Sequence, residues 1–363
     1  MRTYAVAAIP GDGIGQEVVP AAADVLDEAA RRHDFELAWT TYPWGCDHYL
    51  ETGRLMDEDG LDRLGESDAI FLGAVGSPSV PDHVSLWGLL IPIRRHFDQY
   101  VSLRPVRLLP GVSSPLGERG AALDLVVVRE NTEGEYSTLG GRMFEGTAGE
   151  LAVQESVFTR RGVERIARYA FDLARTRGGV VTSATKSNGI IHTMPFWDQV
   201  VAEIATEYPD VALDSCHADA LAGLLVLDPG RFDVIVASNL LGDILSDLTA
   251  ALAGSIGIAP CGNIDATRAC PSMFEPIHGS APDIAGTGRA NPIGQLWSGV
   301  LMLEHLGEAA AAGALMAAIE RVSASGCVTP DLGGSATTSQ VCASIVAALD
   351  ADGGTARTAA TER

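Results

Sequence analysis

The chain has 363 residues, 47% of them hydrophobic and 40 of them glycine, which suits a cored, turn-rich α/β protein and excludes a disordered one. Its formal net charge of −22 repels phosphate backbones and argues against nucleic-acid binding, while any anionic substrate would need a local cationic pocket. Six cysteines at 46, 216, 261, 270, 327 and 342, with no C-x-x-C pair, predict reduced thiols in the cytoplasm rather than a disulfide framework or a zinc site, and no apolar run of about 18 residues predicts a membrane span.

In chain order, residues 3–9 read as a strand rather than a signal peptide, because no long apolar core or cleavage site follows them. Residues 15–32 carry apolar positions at helical spacing, and 69–74 read as a strand before a Gly/Pro/Ser loop at 73–82. Short buried-type strands follow at 125–128, 179–182 and 234–237, and the Ala/Thr/Gly-rich tail from Asp350 is expected to fray. The alternation predicts an α/β fold with parallel strands. Polar motifs gather in 101–252 and glycine loops in 1–100 and 253–363, which predicts a domain inserted into another.

The first glycine string, PGDGIGQEV, fails the dinucleotide fingerprint, because Gln16 stands where the third glycine belongs. A tight strand-to-helix turn and a cofactor-binding turn remain equal readings of it. Asp243 and Asp247, in SNLLGDILSDL, lie four apart and share one helix face. Two like charges so placed repel unless a cation sits between them, and carboxylate oxygens suit Mg2+ or Mn2+; Asp219 is a further candidate ligand or, equally, a helix cap. Arg94, Arg104 and Arg129 form a candidate carboxylate trap, whereas Arg95 reads as a structural ion pair. Tyr136, seven residues after Arg129, is a candidate proton donor or a packing residue.

The chain has one lysine, Lys186, against 24 arginines. Guanidinium stays charged where an amine can release its proton, so a lysine following a strand marks a candidate general base. The segment FEPIHGSAPDIAGTGRANP places His278, Gly279, Ser280 and Asp283 in a loop whose amides can approach a flat ring and a diphosphate. Asp283 there would accept from a ribose hydroxyl and repel a 2′-phosphate, favouring NAD over NADP.

With PGDGIG, GDILSDL, EPIHGSAPDIAG and DLGGSATT, the chain resembles the β-decarboxylating dehydrogenases of 2-hydroxy acids, the group of isopropylmalate, isocitrate, tartrate and D-malate dehydrogenases, over nearly its whole length. The strings DHVSLWGLLIPIRRHFDQYVSLRPVRLLPG and SATKSNGIIHTMPFW look most like the tartrate/D-malate branch.

The resemblance implies a two-domain, isopropylmalate-dehydrogenase-like fold that is not a Rossmann fold: a cofactor-binding domain of 1–100 plus 253–363, and an inserted substrate and dimerisation domain of 101–252. It implies Arg94, Arg104 and Arg129 on the substrate carboxylates, Tyr136 as the acid at carbon, and Lys186 as the base at the hydroxyl, supplied by the partner in a homodimer with shared active sites. Asp219, also from the partner, would join Asp243 and Asp247 on Mn2+ or Mg2+; the choice of ion, any part for K+, and dimer against tetramer stay open. His278, Gly279, Ser280, Ala281, Asp283 and Asn291 would hold NAD, with Ile14 and Asp331 at the adenosine end. Isocitrate enzymes of the group carry Ser and Asn shortly before the first arginine, where this chain has Gly88, Leu89 and Leu90, so a tricarboxylate is disfavoured. Those leucines also suit an isopropyl group, which keeps 3-isopropylmalate as the alternative to D-malate and tartrate, although Trp87 and Pro92 fit the latter pattern better. A metal-dependent lyase and a non-catalytic paralogue are weaker readings, the second opposed by the complete set of Lys, Tyr, Asp and Arg.

Overall fold

The computed structural model describes residues 1–359, with side chains through Asp350. The chain forms two compact units, one from Met1–Gln99, Arg107–Ala121 and the segment from Ala250 onward, the other from Tyr100–Val106 and Ala122–Thr249. The stretch Arg107–Ala121, expected in the inserted segment, therefore clusters with the first unit instead.

The first unit begins with β1 (Arg2–Gly11), α1 (Gly15–Arg32), β2 (Phe35–Thr41), α2 (Cys46–Thr52), α3 (Gly60–Gly65), β3 (Ala69–Ala74), α4 (Asp82–Ser85) and α5 (Ile91–His96). The second holds most of β4 (Val101–Arg107), then β5 (Asp124–Glu130), the ribbon β6 (Gly140–Met143) and β7 (Leu151–Gln154), α6 (Arg160–Arg175), β8 (Val180–Thr185), α7 (Thr193–Ala205), β9 (Ala212–His217), α8 (Ala218–Leu227), β10 (Val234–Ala237) and the start of α9 (Asn239–Leu252). The chain then returns to the first unit with β11 (Pro260–Ile264), β12 (Ser272–Pro276), α10 (Ile293–Leu306), α11 (Ala309–Ala324) and α12 (Thr338–Ala359). The last four residues of the tail expected to fray lie outside the described residues, and α12 carries the backbone as far as Ala359.

In the first unit the strand order is β2-β1-β3-β12-β11; β1 runs parallel to β2 and β3, β12 parallel to β3, and only β11 turns back antiparallel to β12. In the second the order is β4-β5-β10-β8-β9, with β10 parallel to β5 and β8, and β9 parallel to β8. All residues of β3 and β10 are buried, because helices cover both faces of a parallel sheet and leave no strand face for water. Helix α1 buries Val18, Val19, Ala22, Val25, Leu26 and Ala29, a stripe of three- and four-residue spacing that packs on β1, β2 and β3. Helix α6 is capped by Thr159, whose hydroxyl accepts from the Gly162 N–H at 3.0 Å. Among the described residues, no helix is long and apolar enough to cross a membrane.

Strand β5 ends on buried Arg129 and Glu130. The Glu130 carboxylate accepts from the backbone N–H groups of Thr132 (3.0 Å) and Glu133 (2.8 Å) and from the Thr132 hydroxyl (2.9 Å), closing the turn after the strand. Burial pushes its carboxyl up to about 7, against those donors, which pull it down. A carboxyl whose folded value lies above its unfolded one binds its proton more tightly in the folded chain, so its contribution is present at low pH and lost as pH climbs from about 4.3 towards about 7. Replacing Glu130 by Gln removes that titration while keeping the shape. The melting temperature of Glu130→Gln is expected to gain on that of the unsubstituted protein as pH rises through this window; parallel curves in scanning calorimetry at several pH values would sink the assignment.

Candidate active site

In the first unit, loops at the C-terminal ends of β1 and β3 meet the second glycine segment. Gly13 has φ +53°, and a Cβ there would lie 2.1 Å from the Ser280 carbonyl oxygen, while the Ile14 N–H donates to that same oxygen at 2.8 Å. Asp12 is buried and accepts from the N–H groups of Cys46 and Gly76, both at 2.7 Å, tying three loops together. Glu17, in the first turn of α1, accepts from the N–H of Gly288 at 2.9 Å and from that of Gly286. The first glycine string is thus a turn built for close backbone approach, and what it approaches is the second string.

A cavity of about 250 Å3 opens where these strings meet, lined among others by Ile14, Ser255, His278, Ala281, Asn291 and Asp331. The Asp331 carboxylate accepts from the Ser255 hydroxyl (2.6 Å), the Asn291 amide (2.9 Å) and the Thr329 hydroxyl (2.5 Å). His278 lies with Nδ1 3.0 Å from the Gly279 carbonyl oxygen, and its Nε2 is buried with no partner among the described residues. Burial holds the His278 ring below the usual imidazole range, so it stands neutral. Ala281 takes φ +39°, a region that non-glycine residues enter at strained functional loops. Gly279 and Ser280 line a second cavity, of about 510 Å3, with the loop after β3. Asp283 is exposed and lines neither cavity; the carboxylate present at the first is Asp331.

Arg94, on α5, is buried and donates to Glu275 Oε1 at 2.7 Å, and its Nε has no partner among the described residues. Leu90 closes a single π-turn, Leu86–Leu90, and packs partly buried against the core that swallows Leu89. The guanidinium of Arg95 lies 5.0 Å above the Trp87 ring.

In the second unit, three predicted residues converge on Asp243 in the second turn of α9. Arg129 is almost wholly buried and pairs with Asp243 Oδ1; Arg104 Nη1 lies 3.3 Å from the same oxygen and 3.6 Å from Asp247; the Tyr136 hydroxyl donates to Asp243 Oδ2 at 2.8 Å. Burial, with the Asp243 charge second, pushes the Tyr136 phenol above its usual range, so it keeps its proton. Burial also raises Asp247, against the opposing pull of Arg104. Lys186 follows β8 directly and pairs with exposed Asp219 at 2.8 Å, which holds Asp219 below the usual carboxylate range. Among the described residues, no three His, Cys, Asp or Glu side chains of one chain gather closely enough to hold a metal, so Asp219 does not join Asp243 and Asp247 within one chain.

Several supporting residues escaped the sequence reading: Asp12, Glu17, Ser255, Glu135 and Glu275. Each acts by a hydrogen bond to a residue distant in sequence, which no local spacing encodes.

Residues 5–348 match the family described as isocitrate/isopropylmalate dehydrogenase. The tartrate dehydrogenase/decarboxylase of Pseudomonas putida is 55% identical over 354 residues, covering 95% of this chain and 97% of that protein. The D-malate dehydrogenase (decarboxylating) of Escherichia coli is 54% identical over 350 residues, covering 94% and 97%. The crystal structure of isocitrate dehydrogenase from Methylococcus capsulatus superposes with a TM-score of 0.85 at 34% identity, over 96% of this chain and 99% of that one.

The contact at Gly13 is testable on stability. Gly13→Ala should cost about 2 kcal/mol or more in denaturant unfolding, because its Cβ meets fixed backbone. Gly53→Ala, also at positive φ but with nothing within 4 Å, should cost about 1 kcal/mol. Equal losses in the two variants would remove the steric account.

Proposed function

We propose a specific activity for this chain, which belongs to the isocitrate/isopropylmalate dehydrogenase family: the NAD- and divalent-metal-dependent oxidative decarboxylation of D-malate to pyruvate and CO2, together with oxidation of tartrate. The observation that carries it is the convergence of two buried arginines and a protonated tyrosine on Asp243, in a chain 54% identical to a protein named D-malate dehydrogenase.

The residues fit the groups this chemistry needs. Asp243 and Asp247 offer hard oxygens on one helix face for Mn2+ or Mg2+. The unpartnered Nε2 of His278, with Asn291 and Ile14, suits an adenosine, and the Asp331 carboxylate in the same cavity opposes a 2′-phosphate, favouring NAD over NADP. When bound, the cation lowers the pKa of the substrate hydroxyl and the nicotinamide accepts the hydride.

The chain's own residues do the rest. Arg104 and Arg129 hold the substrate carboxylates by charge-assisted bonds, and Arg94 keeps a free Nε for the same task. Lys186 takes the hydroxyl proton as the hydride leaves. After CO2 departs from the resulting β-keto acid, Tyr136 gives its proton to the carbon that lost the carboxylate.

Lys186 and Asp219 stand together and apart from the Asp243 cluster, which supports an active site completed by a second copy of the chain. The ribbon β6–β7 supports the same reading. Both its strands are exposed, and Met143, Phe144, Leu151 and Val153 present apolar side chains that a two-stranded ribbon cannot bury alone.

With NAD and Mn2+, D-malate and tartrate should raise the reduced-nicotinamide absorbance well above 3-isopropylmalate; a clear preference for 3-isopropylmalate overturns the substrate. Lys186→Arg should keep the fold and lose kcat by about three orders of magnitude. Shared sites predict complementation. Lys186→Met and Asp243→Asn are each expected to be inactive, yet co-refolded they should recover about a quarter of the unsubstituted activity, since half of randomly paired dimers carry one intact site. Mixtures as inactive as their parents would place the whole site in one chain.

A further inference from the structure

We infer that Glu135 is a positioning residue for Tyr136: its carboxylate clamps the start of the helix that carries Asp243, so that phenol and aspartate stay opposed through the proton transfer. The inference rests on the reading above, in which Tyr136 is the donor.

The clamp is built from two bonds. Glu135 Oε1 accepts from the hydroxyl of buried Ser238 at 2.7 Å, and Oε2 accepts from the N–H of Leu240 at 3.0 Å. Ser238 immediately precedes α9 and Leu240 is its second residue. A helix start is ordinarily capped by the oxygen of the residue preceding it; here Ser238 turns its hydroxyl outward as a donor, and a carboxylate from another loop takes the orphan N–H. The negative charge also meets the positive end of the helix dipole.

One residue later, on the same loop, Tyr136 donates to Asp243 Oδ2. The loop therefore touches α9 at two points one turn apart. It lies close throughout: the Asn239 amide donates to the Glu133 carbonyl oxygen at 3.0 Å, and a Cβ on Gly134, at φ +95°, would come within 3.2 Å of the Asn239 Cβ. The two contacts differ in what the reaction asks of them. A phenol that gives its proton to carbon must let go of Asp243, and at that moment the second point of attachment is lost. The Glu135 clamp remains, with the Arg129 guanidinium 5.5 Å above the Tyr136 ring. A misplacement of about 1 Å at such a step costs about 100-fold in rate.

The test uses the full chain with Mn2+ and NAD, and compares Glu135→Ala, Glu135→Asp and Glu135→Gln. Glutamine can still accept from Leu240 and donate to Ser238; aspartate keeps the charge but is one methylene too short to reach both; alanine reaches neither. Proton NMR in heavy water follows exchange of the pyruvate methyl protons, which reports protonation at carbon without hydride transfer. Metal-free hydrogen exchange at the Leu240 amide reports the clamp itself.

Alanine should slow methyl exchange and kcat about 10- to 100-fold, leave KM for NAD within about two-fold, and speed Leu240 amide exchange about ten-fold, with glutamine within about three-fold of the unsubstituted protein throughout. Methyl exchange at the unsubstituted rate in folded Glu135→Ala overturns the inference. Where alanine fails to fold, the same result in Glu135→Asp overturns it. An unsubstituted protein that exchanges no pyruvate protons removes the donor role of Tyr136, and this inference with it; normal exchange matched by the variants removes this inference alone.

Discussion

The second unit is organised around one carboxylate. Arg129 is almost fully buried and Arg104 nearly so, and a buried guanidinium is costly unless an anion and hydrogen bonds meet it. Asp243 meets both, and the Asn239 side-chain oxygen accepts from Nε and Nη2 of Arg129 at 3.1 and 2.6 Å. The positions of β4, β5 and α9 are thus locked to one another by electrostatics, and Gly242 is part of the fit, since a Cβ there would come within 2.6 Å of the Arg129 side chain. The set Arg104, Arg129, Asp243 and Asp247 carries two positive and two negative charges. A divalent cation and a dicarboxylate add as a neutral pair, so the cluster can pass from internal ion pairing to ligand binding without leaving a net buried charge.

The first unit solves a different problem, that of holding loops rather than charges. Its loops carry little regular structure, yet each is fastened by a carboxylate that accepts backbone N–H groups. Asp12 holds the loops at Cys46 and Gly76, Glu17 holds Gly286 and Gly288, and Asp265 takes the N–H groups of Thr267, Ala269 and Cys270. Charge-assisted bonds of this kind are shorter and stronger than neutral ones. Asp331, which lines the first cavity, adds a side-chain network with Ser255, Asn291 and Thr329.

What the sequence disclosed, and what it withheld, divides along the same line. Strands 69–74 and 234–237 and helix 15–32 were legible to the residue, because burial and helical spacing are local signals. The family resemblance picked out Arg104, Arg129 and Tyr136 as candidate site residues but not that Asp243 is their shared partner, and the placement of Arg129 at a strand end was legible through three preceding valines. Asp331 was named at the adenosine end through the same resemblance; that Asp283 lines neither cavity was not legible, because it depends on how a loop folds back. The contact of Arg95 with the Trp87 face was not legible, because the π-turn that offers Trp87 leaves no mark in spacing. The return of Arg107–Ala121 to the first unit was hidden for a related reason: a strand that ends in one unit gives no compositional break where the chain crosses over.

The arginines themselves explain why Lys186 stands out. Along α6 they pair outward with carboxylates, Arg160 with Glu203, Arg168 with Glu207 and Arg175 with Asp210, at 2.6 to 2.8 Å. These are exposed pairs, worth little each, and two of them are bidentate, a geometry that suits guanidinium. A chain that has arginine at every such position has no structural need for an amine. Lys186, too, has a carboxylate partner, so pairing alone does not account for it. What separates it from the arginines is the proton that an amine can surrender and a guanidinium cannot. Its place directly after β8, at the C-terminal edge of a parallel sheet, is where such a group meets a ligand.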